Sequence, residues 1–473
     1  MSAEAAPAAA SPVAYSAIAE LLRLRTGLSC GSGRQAHLAS GIDKAMARAG
    51  IARPAAYAEA LQAEGPEGGP LLDDLLVEVT VGETYFFREP GQFEFLRTTV
   101  IPDLLRRRVD ASPLRVWSAG CATGEEPYSL AILLDEEGLG GRTRILATDI
   151  CRTAISKGRD GVYGKWSLRA SGDAFIARYF ARQQDRFQLD PRIRERVSFQ
   201  YLNLAFDSYP SFALDVWGMD LIFCRNVLIY LDGPTVARVA PGLLSTLAEG
   251  GWLITGPSDP PLADLAPFET VVTGAGVFYR RGDRAEAPVS GGAPSPAAQA
   301  SVLLPRSEKA APRPRPVALP PPAVFARVVE PPPEKPEACV LRIRALANAA
   351  GATVAEEAAA RDVERFPLSA ELHFLHAVLL IGLGRDEEAG AALRLVLYLD
   401  RSLAVAHFVV ASLLARRGDG SGARAAYRKA HDLAAGRNPE EPLSLSDGEP
   451  AGRLAEAAAA QMALIESAPV AAR

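Results

Sequence analysis

The 473-residue chain is poor in the residues that mark export, metal binding and redox chemistry. Its five cysteines, Cys30, Cys121, Cys151, Cys224 and Cys339, are odd in number and scattered, with no C-x-x-C pair. That pattern excludes a disulfide framework and fits a reducing compartment. The five histidines, His37, His373, His376, His407 and His431, do not combine with them at zinc-ligand spacing, so no structural metal is expected. A run of ~18 apolar residues is missing, and the opening MSAEAAPAAASPVAYS lacks the basic and apolar regions of a secretory signal. A cytoplasmic protein without membrane insertion is therefore expected. Fifty-one basic against 56 acidic residues give a net charge of -5, which is not the cationic footprint of a dedicated nucleic-acid binder.

What is present divides the chain. The 48% hydrophobic and 23% charged composition is that of packed globular protein, long enough for about three domains. Residues 1–13, mostly Ala, Pro and Ser, are expected to be a disordered tail. Over 14–100, apolar residues such as Ile18, Leu21, Leu22, Leu71, Leu72, Leu75 and Leu76 recur at helical spacing, which predicts a small all-α domain. Over 101–282, short apolar runs alternate with amphipathic stretches. Strands are expected at 114–119, 144–148, 220–224, 252–256 and 276–280, with helices at 126–137, 152–159 and 234–248. Crossover helices between strands make this a doubly wound, Rossmann-like α/β domain.

Residues 283–336 carry GGAPSP, PRPRP, LPPP and EPPPEKP and read as a Pro-rich linker between independent units. Beyond it, His373-Phe374 recurs as His407-Phe408, Gly384 as Gly418, Ala391 as Ala425 and Leu399 as Leu433, an offset of 34 residues. That is the tetratricopeptide period, predicting helical hairpins over 337–436, while 437–473 is a tail with a possible capping helix near 452–465. The alternative is an ordinary alanine-rich helical bundle.

The stretch from Arg115 to Ser129, RVWSAGCATGEEPYS, runs from an expected strand through a small-residue loop into a helix. It has neither the G-K-[ST] of a phosphate loop nor G-x-G-x-x-G, which argues against pyrophosphate binding and a dehydrogenase. Gly120 lets a ligand approach the backbone, and an acid directly after the loop repels phosphate but accepts from an ammonium. Asp149, at the end of the second strand, either receives the hydroxyls of an unphosphorylated ribose or caps the next helix.

In four ordered places, TVGETYFFREP (80–90), WSAGCATGEEPYS (117–129), ATD (147–149) and FCRNVLIYLD (223–232), the chain resembles the chemotaxis-receptor glutamate methyltransferase family, over roughly residues 15–282. Its C-terminal repeats resemble those of members that append tetratricopeptide units. The resemblance implies S-adenosylmethionine as cofactor, with S-adenosylhomocysteine as product, and glutamates on the cytoplasmic helices of chemoreceptors as substrate. It points to Thr84, Arg88, Gly120, Glu125, Asp149, Asn203, Leu204, Arg225 and Asn226 as cofactor contacts, and to Tyr230 and Arg88 as shapers of the reacting site. Many members have Asn where this chain has Gly82. The basic residues Arg23, Arg25, Arg34, Lys44, Arg48 and Arg53 suit electrostatic docking of an acidic receptor helix. The repeats imply an additional protein partner. The alternative is a non-catalytic scaffold that retains the methyltransferase fold.

Overall fold

A computed structural model describes residues 12–29, 35–64, 69–80, 84–108, 112–282, 335–349, 351–446 and 448–466. Most of the expected N-terminal tail, Gly82 and all but the last residues of the expected linker lie outside them. The first helices are α1 (Pro12–Thr26), α2 (Gln35–Ala49), α3 (Pro54–Ala63) and α4 (Pro70–Val79). Prolines open α3 and α4 at first-turn positions, where a missing N–H costs nothing. Their apolar faces meet in a small core of Ile18, Leu22, Ile42, Tyr57, Leu61 and Leu75. After it come α5 (Pro90–Phe95), a π-helical turn (Leu96–Val100) and α6 (Ile101–Arg107).

The α/β region then runs β1 (Leu114–Ala119), α7 (Glu125–Glu136), β2 (Thr143–Asp149), α8 (Arg152–Asp160), β3 (Val162–Tyr163), α9 (Asp173–Tyr179), β4 (Phe180–Gln183), β5 (Arg186–Leu189), α10 (Pro191–Arg194) and β6 (Val197–Tyr201). It closes with β7 (Met219–Cys224), α11 (Gly233–Thr246), β8 (Leu247–Thr255), β9 (Glu269–Thr273) and β10 (Gly276–Arg280). The main sheet has the order β6-β2-β1-β7-β8-β10-β9. The pairings among β6, β2, β1, β7 and β8 are parallel, and β10 runs antiparallel to both its neighbours. This is a Rossmann-like sheet, mostly parallel. Every residue of β1 is buried, as a central parallel strand covered on both faces requires.

The five expected strands are all present. The edge strand β6, the terminal β9 and the small sheet β3-β5-β4 were not anticipated. β6 alternates buried and half-buried residues over only five positions, and β3 is two residues long, too short to give a periodic signal.

The C-terminal helices are α12 (Pro336–Ala349), α13 (Ala352–Arg365), α14 (Ala370–Gly382), α15 (Asp386–Leu399), α16 (Ala404–Arg416), α17 (Gly420–Ala435) and α18 (Ala451–Glu466). Each packs against the next along the chain. They are not a body apart: the described residues up to Gly282 and from Pro336 on form one compact unit. Trp217, Phe212, Met219 and Leu247 share a single core with Cys339, Ile343, Leu375 and Val378. Arg144 pairs with Asp386 at 3.3 Å, Tyr201 donates to Glu456 at 3.0 Å, and the Ser208 N–H donates to Glu449 at 2.9 Å.

Candidate functional site

In this sheet order the chain reverses direction of travel between β1 and β7, and the carboxyl ends of those strands flank a crevice where ligands of such folds bind. A cavity of about 140 Å³ lies there. Gly120, Cys121, Ala122 and Glu126 line it from the loop and helix after β1, and Arg225, Asn226, Ile229 and Tyr230 from the segment after β7. Thr84, Tyr85, Arg88 and Phe93 close it.

The loop after β1 is held from behind. The N–H groups of Gly120 and Cys121 both donate to the Thr148 carbonyl, at 2.8 and 2.9 Å, and the Ala122 N–H donates to Asp149 at 2.8 Å. Gly120 sits at φ +78°, and a Cβ there would lie 2.3 Å from a Val227 methyl, so only glycine fits. With these donors engaged inside the protein, the loop offers no nest for phosphate.

Glu126 accepts from the Ser118 hydroxyl at 2.7 Å and pairs with Arg225 at 3.3 Å. Arg225 is 6% exposed, donates to the Arg88 carbonyl at 2.7 Å, and lies against the rings of Phe93 and Phe223. Burial raises the Glu126 pKa against the opposing pull of Arg225, and burial lowers that of Arg225. Cys121 is held as a thiol, since burial, then Asp149 and Glu126, push its pKa well above the ordinary value. Among the described residues no histidine lines the cavity.

Asp259 organises the opposite wall. Its carboxylate accepts from the backbone N–H of Asn226 at 2.5 Å, Gly256 at 2.8 Å and Ile229 at 3.2 Å, tying the ends of β7 and β8 together. Asn226 is thereby held at φ +58°. Sequence reasoning missed Asp259; the signal available was an acid following a strand-end glycine, in Gly256-Pro-Ser-Asp259.

Of the residues singled out from the sequence, Thr84, Arg88, Gly120, Arg225, Asn226 and Tyr230 come together in the cavity. The remaining four are not in its lining. Glu125 is 2% exposed and turned inward, accepting from the Thr123 hydroxyl at 2.7 Å and the Ser167 hydroxyl at 2.8 Å. The acid facing the cavity is its neighbour Glu126, because on a helix consecutive side chains diverge by about 100°. Asp149 clamps the loop: one oxygen accepts from Ala122 and the other from the Cys151 N–H at 2.8 Å, while the cap position itself belongs to Cys151. Asn203 accepts from the Ala205 N–H and donates to the Arg25 carbonyl at 3.0 Å, joining the strand end to α1. Leu204 lines a separate space of about 760 Å³, with Arg238, Arg344 and Glu371 among its walls.

The N-terminal helices border the site, since the Ser29 N–H donates to the Tyr230 carbonyl at 2.7 Å. Three of the basic residues expected to dock a substrate form ion pairs within the chain, and Arg25 donates to the Leu61 carbonyl at 2.8 Å. Arg23 pairs with Glu20, Arg48 with Asp74 and Glu78, and Lys44 with Glu78. Arg34 lies outside the described residues. Among the described residues no helix is long and apolar enough to cross a membrane.

Comparison with known proteins adds to this geometry. A family model described as "CheR methyltransferase, SAM binding domain" matches residues 82–271, the span that holds the cavity. A Pseudomonas putida protein named "Probable biofilm formation methyltransferase WspC" is 32% identical over 375 residues, covering 77% of this chain and 86% of that protein. That share exceeds residues 1–282, so the match reaches into the C-terminal helices. "Chemotaxis protein methyltransferase 1" of Pseudomonas aeruginosa is 33% identical over 263 residues, covering 54% of this chain and 92% of that protein.

Proposed function

The chain belongs to the CheR methyltransferase family, an S-adenosylmethionine-dependent methyltransferase, and from that premise we propose that it methylates glutamate side chains on the cytoplasmic helices of chemoreceptors. The observation that carries this reading is the make-up of the cavity: its described lining has one carboxylate, engaged by Arg225 and Ser118, two guanidinium groups and two tyrosines, and no histidine. A glutamate titrates near ~4.3 and is already ionised at neutral pH, so its methylation needs alignment and exclusion of water rather than proton abstraction.

The residues suit the cofactor without phosphate chemistry. Glu126 is the acid that can accept from the ammonium of the methionine part, and Arg88 and Arg225 are the cations for its carboxylate. Asp149 and Asn203, which lie outside the cavity lining and already accept from backbone N–H groups, keep further acceptor capacity for the adenosine half. The bound cofactor supplies an electrophilic methyl carbon, so that the acceptor's carboxylate oxygen forms the new C–O bond as the S–C bond breaks. Tyr230 and Arg88 shape the acceptor's side of the cavity. Asp259, through Asn226 and Ile229, holds the wall on which Tyr230 sits.

We read the C-terminal helices as tetratricopeptide units that dock an additional protein partner. In support, α12, α14 and α16 begin at residues 336, 370 and 404, and α13, α15 and α17 at 352, 386 and 420, a constant step of 34.

Labelling with a methyl-radiolabelled cofactor and a chemoreceptor cytoplasmic fragment tests the acceptor. Methyl esters hydrolyse in alkali, so the label should appear as volatile methanol. Label that resists base and stays on lysine or arginine would overturn the assignment.

A further inference from the structure

The two groups given above to the adenosine half of the cofactor stand at the ends of neighbouring strands. Asp149 ends β2, and Asn203 follows β6, the edge strand of the main sheet. Tyr201 pairs with Asp149 across the two strands, and the Leu202 N–H donates to the Asp149 carbonyl at 3.2 Å, so a shift of the β6 end is felt at both groups. An edge strand has a strand partner on one side only, and folds commonly bring a helix or loop to the other. Here α18, from the C-terminal part of the chain, packs against β6 and α8.

That helix holds the strand by buried polar side chains. Glu456, 8% exposed, accepts from the Tyr201 hydroxyl at 3.0 Å. Gln461 accepts from Arg159 at 3.3 Å, and the same guanidinium donates to the Phe199 carbonyl at 2.6 Å. The Tyr201 ring meets the Arg152 guanidinium at 4.7 Å, and Arg152 makes two bonds to Asp73 of α4, at 2.8 and 3.0 Å. A buried phenol needs an acceptor wherever it lies, which by itself would make the contact structural. What sets this one apart is its place, two residues before Asn203. Asn203 is 1% exposed and bonded to Asp207, Ala205 and Arg25, so its position follows the strand that leads into it.

Resting on that placement of the adenosine half, we infer that Tyr201 is a positioning residue for the cofactor and that α18, through Glu456, sets the affinity for it. The C-terminal helices thereby act on the methyltransferase site by way of a strand end. Glu126, Arg88, Arg225 and Tyr230 stand on other elements, so the bond adjusts the grip on the adenosine half and leaves the reacting end alone.

Calorimetric titration of the full chain with S-adenosylhomocysteine, and with methylthioadenosine, which lacks the amino-acid part, tests this. Each variant is titrated well below its own Tm, so that folded protein alone is read. Tyr201→Phe and Glu456→Ala should each weaken both ligands about fivefold, the worth of one ordinary hydrogen bond. The double variant should lose no more than the larger single loss, since the same bond is removed in each. Glu456→Gln keeps an acceptor oxygen for the hydroxyl and should hold affinity within about a factor of two of the wild type. A role in stability alone would lower Tm and leave these affinities unchanged, and that result in both Tyr201→Phe and Glu456→Ala would sink the inference. A loss confined to S-adenosylhomocysteine would put the effect on the amino-acid part and overturn it as well. Asn203→Ala shows whether the premise fails with it. Weakened binding in that variant keeps the adenosine placement standing, whereas wild-type affinity removes the placement and the inference together.

Discussion

At the scale of single residues, two adjacent acids have separated roles. Glu126 faces the cavity and neutralises Arg225, whereas Glu125 is folded under the loop between Thr123 and Ser167. Glu126→Gln keeps an acceptor for Ser118 but leaves a buried guanidinium without its anion, a change that costs about 3–5 kcal/mol when a buried pair is broken from one side. Cofactor affinity should fall by more than about tenfold, read by calorimetric titration. Glu125→Gln retains an oxygen for Thr123 or Ser167 and should leave affinity within about a factor of two. A larger loss from Glu125→Gln than from Glu126→Gln would reverse the assignment. The sequence pair Glu-Glu could not separate them, because which side of a helix faces a cavity depends on what packs behind it.

At the scale of elements, the segment after β6 meets the C-terminal helices through buried carboxyls. Asp207 accepts from the Asn203 N–H at 2.6 Å, Glu449 from the Ser208 N–H at 2.9 Å, and Glu456 from the Tyr201 hydroxyl and from Arg453. Burial pushes the Glu449 pKa up from 4.5 to about 7 and that of Asp207 well above its ordinary value, with the neighbouring carboxyls adding to both. Such a group holds its proton more tightly when folded. Its contribution to stability is therefore greatest below about 4.5, declines as pH rises towards about 7 and is level above that. Glu449→Gln removes the charge while keeping an oxygen for Ser208. It should stabilise the protein by roughly 1–3 kcal/mol at pH 8 and by little at pH 4.5, seen as a higher Tm only in the alkaline scan. Equal Tm changes at both pH values would show that these carboxyls do not control the contact.

For the whole molecule, the shared core decides how far the parts can be separated. A linker between independent units implies that residues 1–282 alone stay folded and bind cofactor. Yet α14 approaches the sheet so closely that a Cβ on Gly382 would lie 2.8 Å from the Trp217 ring, and Trp217 is fully buried. Deleting residues 337–473 would expose the apolar side of Trp217, Phe212 and Leu247 to water. The fragment is expected to melt well below the full chain and to associate. Gly382→Leu, which wedges the contact without deleting anything, should lower Tm and red-shift tryptophan emission. A monodisperse 1–282 fragment with the Tm of the full chain would establish the parts as independent.

The sequence by itself determined much of the architecture and of the site. Apolar runs located five strands of the main sheet, because central strands are buried on both faces and carry an unbroken signal. The 34-residue spacing located the hairpins, and the motif-bearing segments supplied Thr84, Arg88, Gly120, Arg225, Asn226 and Tyr230, which meet in one cavity. These are properties of local pattern. Only the tertiary structure decided which of two neighbouring acids faces that cavity, that Asp149 clamps the loop from behind, that Asn203 ties a strand end to α1, and that Asp259 holds the opposite wall. It also decided that the C-terminal helices share a core with the sheet across a linker that reads as a separator. Each of these depends on contacts between residues tens to hundreds of positions apart, and periodicity carries no information about such pairings.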